Sequence, residues 1–190
     1  MVQLLEEYAK INSIPIMQKD GIEFLLNFIK ENNIKNILEI GTAIGYSAIR
    51  MALLDEDIFV TSIERDKNRY QKAKENVANS KLNNQIKLIH SDAFDVSLND
   101  SFDLIFIDAA KAQNIKFFEK FKVNLNKGGY IITDNLNFHG LVNSNSDMSR
   151  NLKQLVRKIN NYKEFLKENK DFETTFYEVG DGISISKLTN

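Results

Sequence analysis

The sequence predicts one α/β domain whose mostly parallel sheet ends in an antiparallel hairpin and carries helices on both faces. Strand-like and helical segments alternate along most of the 190 residues, which requires crossover connections and therefore parallel strands. The apolar runs Ile37–Ile40 and Leu104–Ile107 are typical of strands buried on both faces. Near the end, two β-rich segments are joined by a Gly-Asp-Gly turn, which predicts the hairpin.

The elements follow in order from the amino terminus. Two amphipathic helices, Leu4–Ile11 and Asp20–Glu31, are separated by Pro15, whose ring enforces an extended or turning backbone. The alternating elements predicted next are strand Asn36–Ile40, helix Tyr46–Leu54, strand Phe59–Glu64, helix Lys67–Ser80, strand Ile86–His90, strand Leu104–Asp108, helix Asn114–Leu125 and strand Tyr130–Asp134. The last predicted elements are a polar loop over Phe138–Ser149, a basic helix from Arg150 to Asn169, and the hairpin strands Phe172–Tyr177 and Ile183–Leu188.

Composition restricts the class of protein. The length fits a single domain, and 43% hydrophobic with 27% charged residues is ordinary for a globular chain. The net charge of −1 excludes a generally cationic nucleic-acid binder, although residues 111–170 hold 12 Lys/Arg against 5 Asp/Glu. Without cysteine there are no disulfides, thiolate metal sites or cysteine nucleophile. No signal-peptide pattern or membrane-length apolar run is present, so we expect a cytoplasmic enzyme that contacts no membrane.

Three acidic residues at strand ends predict a cofactor site. Glu39 precedes the turn Gly41–Gly45, Glu64 ends the next strand about 20 residues on, and Asp92 follows the third strand. One ligand that carries an amine, a ribose and an adenine would suit this order. Each position also has a simpler interpretation as a tight connection, a helix cap or a turn. The spacing E-x-G-x-x-x-G differs from the dinucleotide G-x-G-x-x-G, which argues against a nicotinamide oxidoreductase.

A second group of polar residues predicts the reaction chemistry. Asp108 ends the fourth strand and Asp134-Asn135 ends the fifth, so two carboxylates and an amide oxygen would converge beside the cofactor. Such oxygen donors suit Mg²⁺ or another hard divalent cation better than zinc. Lys111 is placed to remove a substrate proton or to stabilise an oxyanion. Helix capping by the aspartates is the simpler alternative.

The motifs around these residues resemble the cation-dependent O-methyltransferases related to catechol and caffeoyl-CoA methyltransferases. The resemblance is carried by Leu38–Ser47, Phe102–Lys111 and Gly128–Asn135. It implies the class I methyltransferase (Rossmann-like) fold with a seven-stranded sheet, S-adenosylmethionine, a divalent cation and a homodimer, with residues 1–31 contributing to the site. It implies metal ligands Asp108, Asp134 and Asn135, catalytic residues Lys111 and Asp108, and cofactor contacts Met17, Glu39, Gly41, Gly45, Ser47, Glu64, Asp92, Ala93 and Asp108.

Three local details resemble the bacterial tRNA 5-hydroxyuridine methyltransferases within that family. They are Asp108–Lys111 read as Asp-Ala-Ala-Lys, the segment Asn161–Leu166, and Glu173-Thr-Thr running to Gly182. This resemblance implies methylation of the 5-hydroxyl of a wobble uridine in tRNA. The basic segment that begins at Arg150 has cations on one helix face that could meet phosphates, and an ordinary solvated helix is its simpler interpretation. A small-molecule O-methyltransferase acting on a catechol-like phenol is the alternative, and a non-catalytic RNA-binding protein of the same fold is a further one.

Overall fold

Helices and strands alternate much as the sequence predicts. This computed structural model describes residues 1–137 and 149–189. The helices are α1 (Val2–Ile11), α2 (Lys19–Glu31), α3 (Tyr46–Ala52), α4 (Lys67–Asn79), α5 (Asn114–Phe121) and α6 (Arg150–Glu168). The strands are β1 (Asn36–Ile40), β2 (Phe59–Glu64), β3 (Ile86–His90), β4 (Phe102–Ile107), β5 (Leu125–Thr133), β6 (Phe172–Tyr177) and β7 (Ile183–Leu188).

The strands form one seven-stranded sheet in the order β3-β2-β1-β4-β5-β7-β6. Strands β1 to β5 are parallel, whereas β7 pairs antiparallel with both β5 and β6. The predicted mostly parallel sheet with a terminal hairpin is therefore confirmed. The order reverses between β1 and β4, and such a switch point is where open α/β sheets bind ligands, beyond the carboxyl ends of the strands.

Strand alternation divides the core into two layers. Leu104 and Phe106 pack with α1, α2 and α3 on one face, whereas Ile105 and Ile107 pack with α5 and α6 on the other. The second layer is rich in aromatic rings, with Phe118 edge-on to Phe172 at 4.9 Å between ring centroids. A sheet covered on both faces leaves only its ends open for a site.

The boundary between α5 and β5 differs from the prediction. We predicted one helix over Asn114–Leu125 and a strand only from Tyr130, but the helix ends at Phe121, a 3-10 turn follows, and the strand begins at Leu125. The Asn124 side chain donates to the carbonyls of Leu98 and Asp100 at 3.0 Å each, which fixes the turn. The pairing of β4 with β5 shifts register between Phe102 and Leu104. Gly128 and Gly129 of β5 lie at this irregularity.

The glycine turn after β1 is held closely to its neighbours. Gly41 has φ +102°, and a Cβ built there would lie 2.2 Å from the carbonyl oxygen of Asp108. Gly45 has φ +83°, and its Cβ would sit 3.5 Å from Ala73 on α4. Both positions favour glycine because of their positive φ, and Gly41 also requires it because a Cβ would overlap the Asp108 carbonyl.

Most of the predicted polar loop over Phe138–Ser149 lies outside the described residues. Ser149 is described and caps α6, because its hydroxyl accepts a hydrogen bond from the Leu152 N–H at 3.4 Å. Within residues 1–137 and 149–189, no helix has the length and apolar character needed to cross a bilayer.

Candidate active site

A cavity of about 450 Å³ opens beyond the carboxyl ends of β1, β2, β3 and β4. Its volume lies within the range of about 300–1,000 Å³ that is usual for small-molecule and cofactor sites. The predicted residues that line it are Met17, Gly41, Glu64, Asp92, Ala93, Asp108, Lys111 and Asn135. The predicted residues that do not line it are Glu39, Gly45, Ser47 and Asp134.

Glu64 is a rigid acceptor at the end of β2. Its carboxylate accepts hydrogen bonds from the N–H groups of Ala43 and Asp66, each at 2.8 Å. The helix cap of α4 is Asp66, whose side chain accepts from the Arg69 N–H. Each carboxylate oxygen of Glu64 keeps a further lone pair, so the group can still accept from a ligand hydroxyl.

Glu39 occupies a different environment from the one predicted for it. Its side chain is fully buried, and its two oxygens accept hydrogen bonds from the hydroxyls of Ser47 and Ser62. The Ser62 hydroxyl also lies 2.5 Å from that of Thr42. Because Glu39 does not reach the cavity, the structure assigns it to joining β1, β2 and α3 beneath the glycine turn. Ser47, which we predicted as a cofactor contact, is part of this buried network.

The buried carboxyl of Glu39 predicts a pH-dependent stability. Burial raises the pKa of Glu39 from 4.5 to about 7, although the two serine hydroxyls oppose this. A folded-state pKa above the unfolded one means that stability falls as pH rises from about 4.5 to about 7 and then levels off. Glu39→Gln lacks this titration, so its stability relative to wild type should rise by about 2–3 kcal/mol between pH 5 and pH 8. Urea unfolding of both ligand-free proteins in EDTA from pH 5 to 8 tests this, and a difference that stays constant with pH would contradict it.

The wall that follows β3 contains both predicted and unpredicted residues. Asp92 begins a turn, because its carboxylate accepts from the Phe94 N–H at 2.9 Å, and it lies 3.8 Å from Arg65. Phe94 stacks on Phe117 with ring centroids 4.8 Å apart. The stacked pair and Arg65 line the cavity but were not predicted, since only the fold brings α5 beneath the loop after β3.

Asp108 and Lys111 form an ion pair at the mouth of the cavity. The Lys111 ammonium lies 3.5 Å from the Asp108 carboxylate, and both side chains are about one-fifth exposed, at 21% each. Burial raises the pKa of Asp108, and the charge of Lys111 opposes this. Strand β4 ends at Ile107, and the turn that carries Lys111 brings the ammonium back over the strand end.

Asp134 and Asn135 follow β5, and of the two only Asn135 lines the cavity. Asp134 is 3% exposed, and burial together with the nearby charge of Asp108 raises its pKa to about 7. One Asp134 oxygen accepts from the Asn135 amide at 2.5 Å, while the other has no hydrogen-bond partner among the described residues. Asn135 has φ +65°, a left-handed conformation that asparagine tolerates better than most residues.

These oxygens fit a hard cation. One buried Asp134 oxygen has no hydrogen-bond partner among the described residues, and the charge of Lys111 only partly offsets burial and the neighbouring Asp108 carboxylate. The described residues contain no group of three or more His, Cys, Asp or Glu suited to a metal ion. Of the described residues, Asp108, Asp134 and Asn135 would hold a cation, and three protein ligands leave further positions for water or substrate oxygens, as Mg²⁺ prefers.

Comparison with known proteins agrees with this geometry. The O-methyltransferase family model matches residues 1–188. A caffeoyl-CoA O-methyltransferase from Populus kitakamiensis is 27% identical over 192 residues, covering 96% of this chain and 81% of the relative. A Staphylococcus aureus crystal structure, provisionally described as a caffeoyl-CoA O-methyltransferase, is 40% identical with a TM-score of 0.94, covering 98% of this chain and 91% of that one.

A more distant structure extends the match in fold. The O-methyltransferase from Bacillus cereus in complex with SAH is 24% identical and has a TM-score of 0.83 over 99% of this chain and 90% of its own. Its likeness confirms the α/β fold of the class I methyltransferases. With the family model spanning nearly its whole length, the chain belongs to the O-methyltransferase family.

Proposed function

We propose that this O-methyltransferase uses S-adenosylmethionine and a divalent cation to methylate the 5-hydroxyl of 5-hydroxyuridine at the tRNA wobble position. The product would be 5-methoxyuridine. The observation that carries the choice of substrate is an exposed basic face on α6, a helix that packs against the Lys111–Gln113 turn of the active site.

The cofactor assignment is supported by the chemistry of the cavity lining. Glu64 can accept from ribose hydroxyls, and the stacked pair of Phe94 and Phe117 offers an apolar wall for a planar base. Pro15 and Met17 lie in the segment between α1 and α2 that lines the cavity, as the predicted role of residues 1–31 requires. S-adenosylmethionine supplies a methyl group on a positively charged sulfur. SAH is bound to the related enzyme from Bacillus cereus.

The polar residues at the ends of β4 and β5 would position and activate the substrate hydroxyl. A bound divalent cation supplies Lewis acidity, which lowers the pKa of a coordinated hydroxyl. Asp108, Asp134 and Asn135 would hold that cation. The Lys111 side chain, 3.5 Å from Asp108, would either stabilise the negative oxygen as a cation or act as the base that removes the hydroxyl proton. Burial of Asp134 excludes water from one side of the site.

The basic face of α6 supports a polyanionic substrate. Its side chains Arg150, Lys153, Arg157 and Lys158 are all exposed and fall on one broad side of the helix. Exposed cationic side chains arranged in this way can meet the phosphates of a nucleic acid. The opposite side of α6 is buried through Ile159, Tyr162 and Leu166 and keeps the basic face pointing outward.

A small phenolic substrate is the second candidate, favoured by the names of relatives. The matched enzymes include caffeoyl-CoA O-methyltransferases and a flavonoid 3′,5′-methyltransferase from Vitis vinifera at 26% identity. A catechol and a 5-hydroxyuracil share an acidic hydroxyl next to a second oxygen. The same Asp108, Lys111 and Asn135 could therefore serve either substrate.

One experiment separates the two candidates. The purified protein is incubated with labelled S-adenosylmethionine, Mg²⁺ and either tRNA from a strain that lacks the gene or a panel of catechols including caffeoyl-CoA. We expect methyl transfer to tRNA, identified as 5-methoxyuridine by mass spectrometry, and loss of transfer in EDTA with recovery on adding Mg²⁺. Transfer to catechols alone would refute the tRNA substrate, and full activity in EDTA would refute the cation requirement.

A further inference from the structure

A second cavity of about 230 Å³ lies at the same end of the sheet as the active site. It is bounded by the second half of α6, the adjoining ends of β6 and β7, and the residues that follow β5. Its lining includes Asn137, Lys163, Lys167, Phe176 and Glu178. This volume is smaller than the ~300 Å³ at the low end of small-molecule sites, so the cavity would hold one part of a larger ligand.

The second cavity adjoins the first along the chain. Asn135 lines the active site, whereas Leu136 and Asn137 line the second cavity. Two residues span at most ~7 Å, so the two cavities lie on either side of one short backbone segment. This segment is fixed, because the N–H groups of Leu136 and Asn137 donate to the carbonyls of Gly182 and Asp181 at 2.9 and 2.8 Å.

Two lysines concentrate positive charge in this cavity. Burial lowers the pKa of Lys163, and the charge of Lys167 lowers it further, because the two ammonium groups repel each other. Lys163 donates to the side-chain oxygen of Asn137 at 3.2 Å, which aims it at the segment between the cavities. Lys167 pairs with Glu164 at 2.8 Å, but that exposed pair contributes less than about 1 kcal/mol and can exchange for another anion. Glu178 is the acidic residue of the lining and opposes them.

An aromatic wall completes the cavity. Phe176 is half-buried and packs against the core layer that contains Tyr162 and Leu166, so its ring lies on the α6 side, where the lysines are. An aromatic face next to cationic side chains is the combination that binds single-stranded nucleic acid, where each base stacks and each phosphate meets a positive charge.

We infer that this second cavity binds a nucleotide next to the reacting one in a single-stranded RNA loop, its base against Phe176 and its phosphate at Lys163 and Lys167. The inference rests on the proposed function, since it requires that the substrate be RNA. It extends that proposal by naming where recognition beyond the methylated base occurs. A flanking nucleotide held here would add binding energy that a free nucleoside or a small phenol lacks.

Binding of a fluorescent anticodon stem-loop that carries 5-hydroxyuridine to the protein saturated with S-adenosylhomocysteine tests the inference. Lys167→Gln should bind several-fold more weakly and lower the slope of log affinity against log salt by about one. Glu178→Gln should bind more tightly. Lys122→Gln is the matched control, because Lys122 also pairs with a glutamate three residues earlier at 2.8 Å but lies on the turn after α5.

A thermodynamic cycle tests the base contact. An abasic site at one of the two positions flanking the wobble uridine should weaken binding to wild type and weaken binding to Phe176→Leu much less. Failure of wild type to methylate the stem-loop at all would refute the proposed function and this inference together. Suppose that wild type methylates the stem-loop but Lys167→Gln and Glu178→Gln both bind it with the affinity of Lys122→Gln. That result would refute this inference alone. If the cavity variants keep the RNA affinity of wild type but differ from it in mass by sedimentation, the cavity is a protein–protein contact. That result would also overturn this inference.

Discussion

Replacing Asp134 with asparagine should lower kcat by about a thousandfold or more, because it removes several kcal/mol of charge stabilisation in the transition state. Asp134 does not line the cavity wall that would hold S-adenosylmethionine, and its second oxygen has no partner among the described residues. We therefore expect the affinity for S-adenosylhomocysteine, measured by titration calorimetry, to stay close to that of wild type.

The same substitution should not destabilise the metal-free protein. Burial and the charge of Asp108 both penalise the ionised Asp134 side chain, and asparagine carries no charge. Thermal unfolding in EDTA at pH 8 should give Asp134→Asn a melting temperature equal to or above that of wild type, whereas added Mg²⁺ should stabilise only wild type. A variant that keeps wild-type turnover, or that is stabilised by Mg²⁺ as strongly as wild type, would remove Asp134 from the cation site.

Replacing Lys111 with methionine should lower kcat by about 10²–10⁴-fold, the range usual for a positioned acid–base group. The Lys111 side chain is 21% exposed and reaches back to Asp108 at 3.5 Å, so methionine fills similar space without the charge. Single-turnover methyl transfer followed over pH 6–10 is the measurement, because it isolates the chemical step from product release.

Lys111→Arg distinguishes the two roles that the position allows. Arginine keeps the positive charge but does not lose its proton in proteins, so it can stabilise an oxyanion but cannot act as a base. Activity close to wild type in Lys111→Arg would assign charge stabilisation, whereas a loss equal to that of Lys111→Met would assign proton transfer. Wild-type activity in both variants would exclude Lys111 from the reaction.

The sequence could predict which residues meet at the site because strand ends are readable from local pattern. Asp108 and Asn135 each follow an apolar strand, and parallel strands place their carboxyl ends at one edge of the sheet. It could not predict the role of Glu39, because that role depends on register. Glu39 stands opposite Ser62 on β2, and this pairing provides the buried hydroxyl that holds its carboxylate.

The start of β5 was unpredictable for a related reason. Leu125 follows an amphipathic segment with no proline between them, so local propensity favours continuing the helix. The strand begins there because Leu125 pairs with Phe102, and because Asp103 accepts from the Asn126 amide at 2.8 Å. Both contacts join residues more than twenty positions apart, and tertiary pairing of this kind overrides local preference.

The contact of Gly41 with the Asp108 carbonyl also limits how this enzyme can be redesigned. A methyl group at Gly41 would overlap the backbone that carries Asp108, so the loop that follows β1 and the loop that follows β4 fit only as a matched pair. Grafting a loop that has any residue other than glycine at this position would place a Cβ in a gap that has no room for it. Chimeras should therefore exchange β1 and β4 together, with both of their following loops, as one transplantable unit.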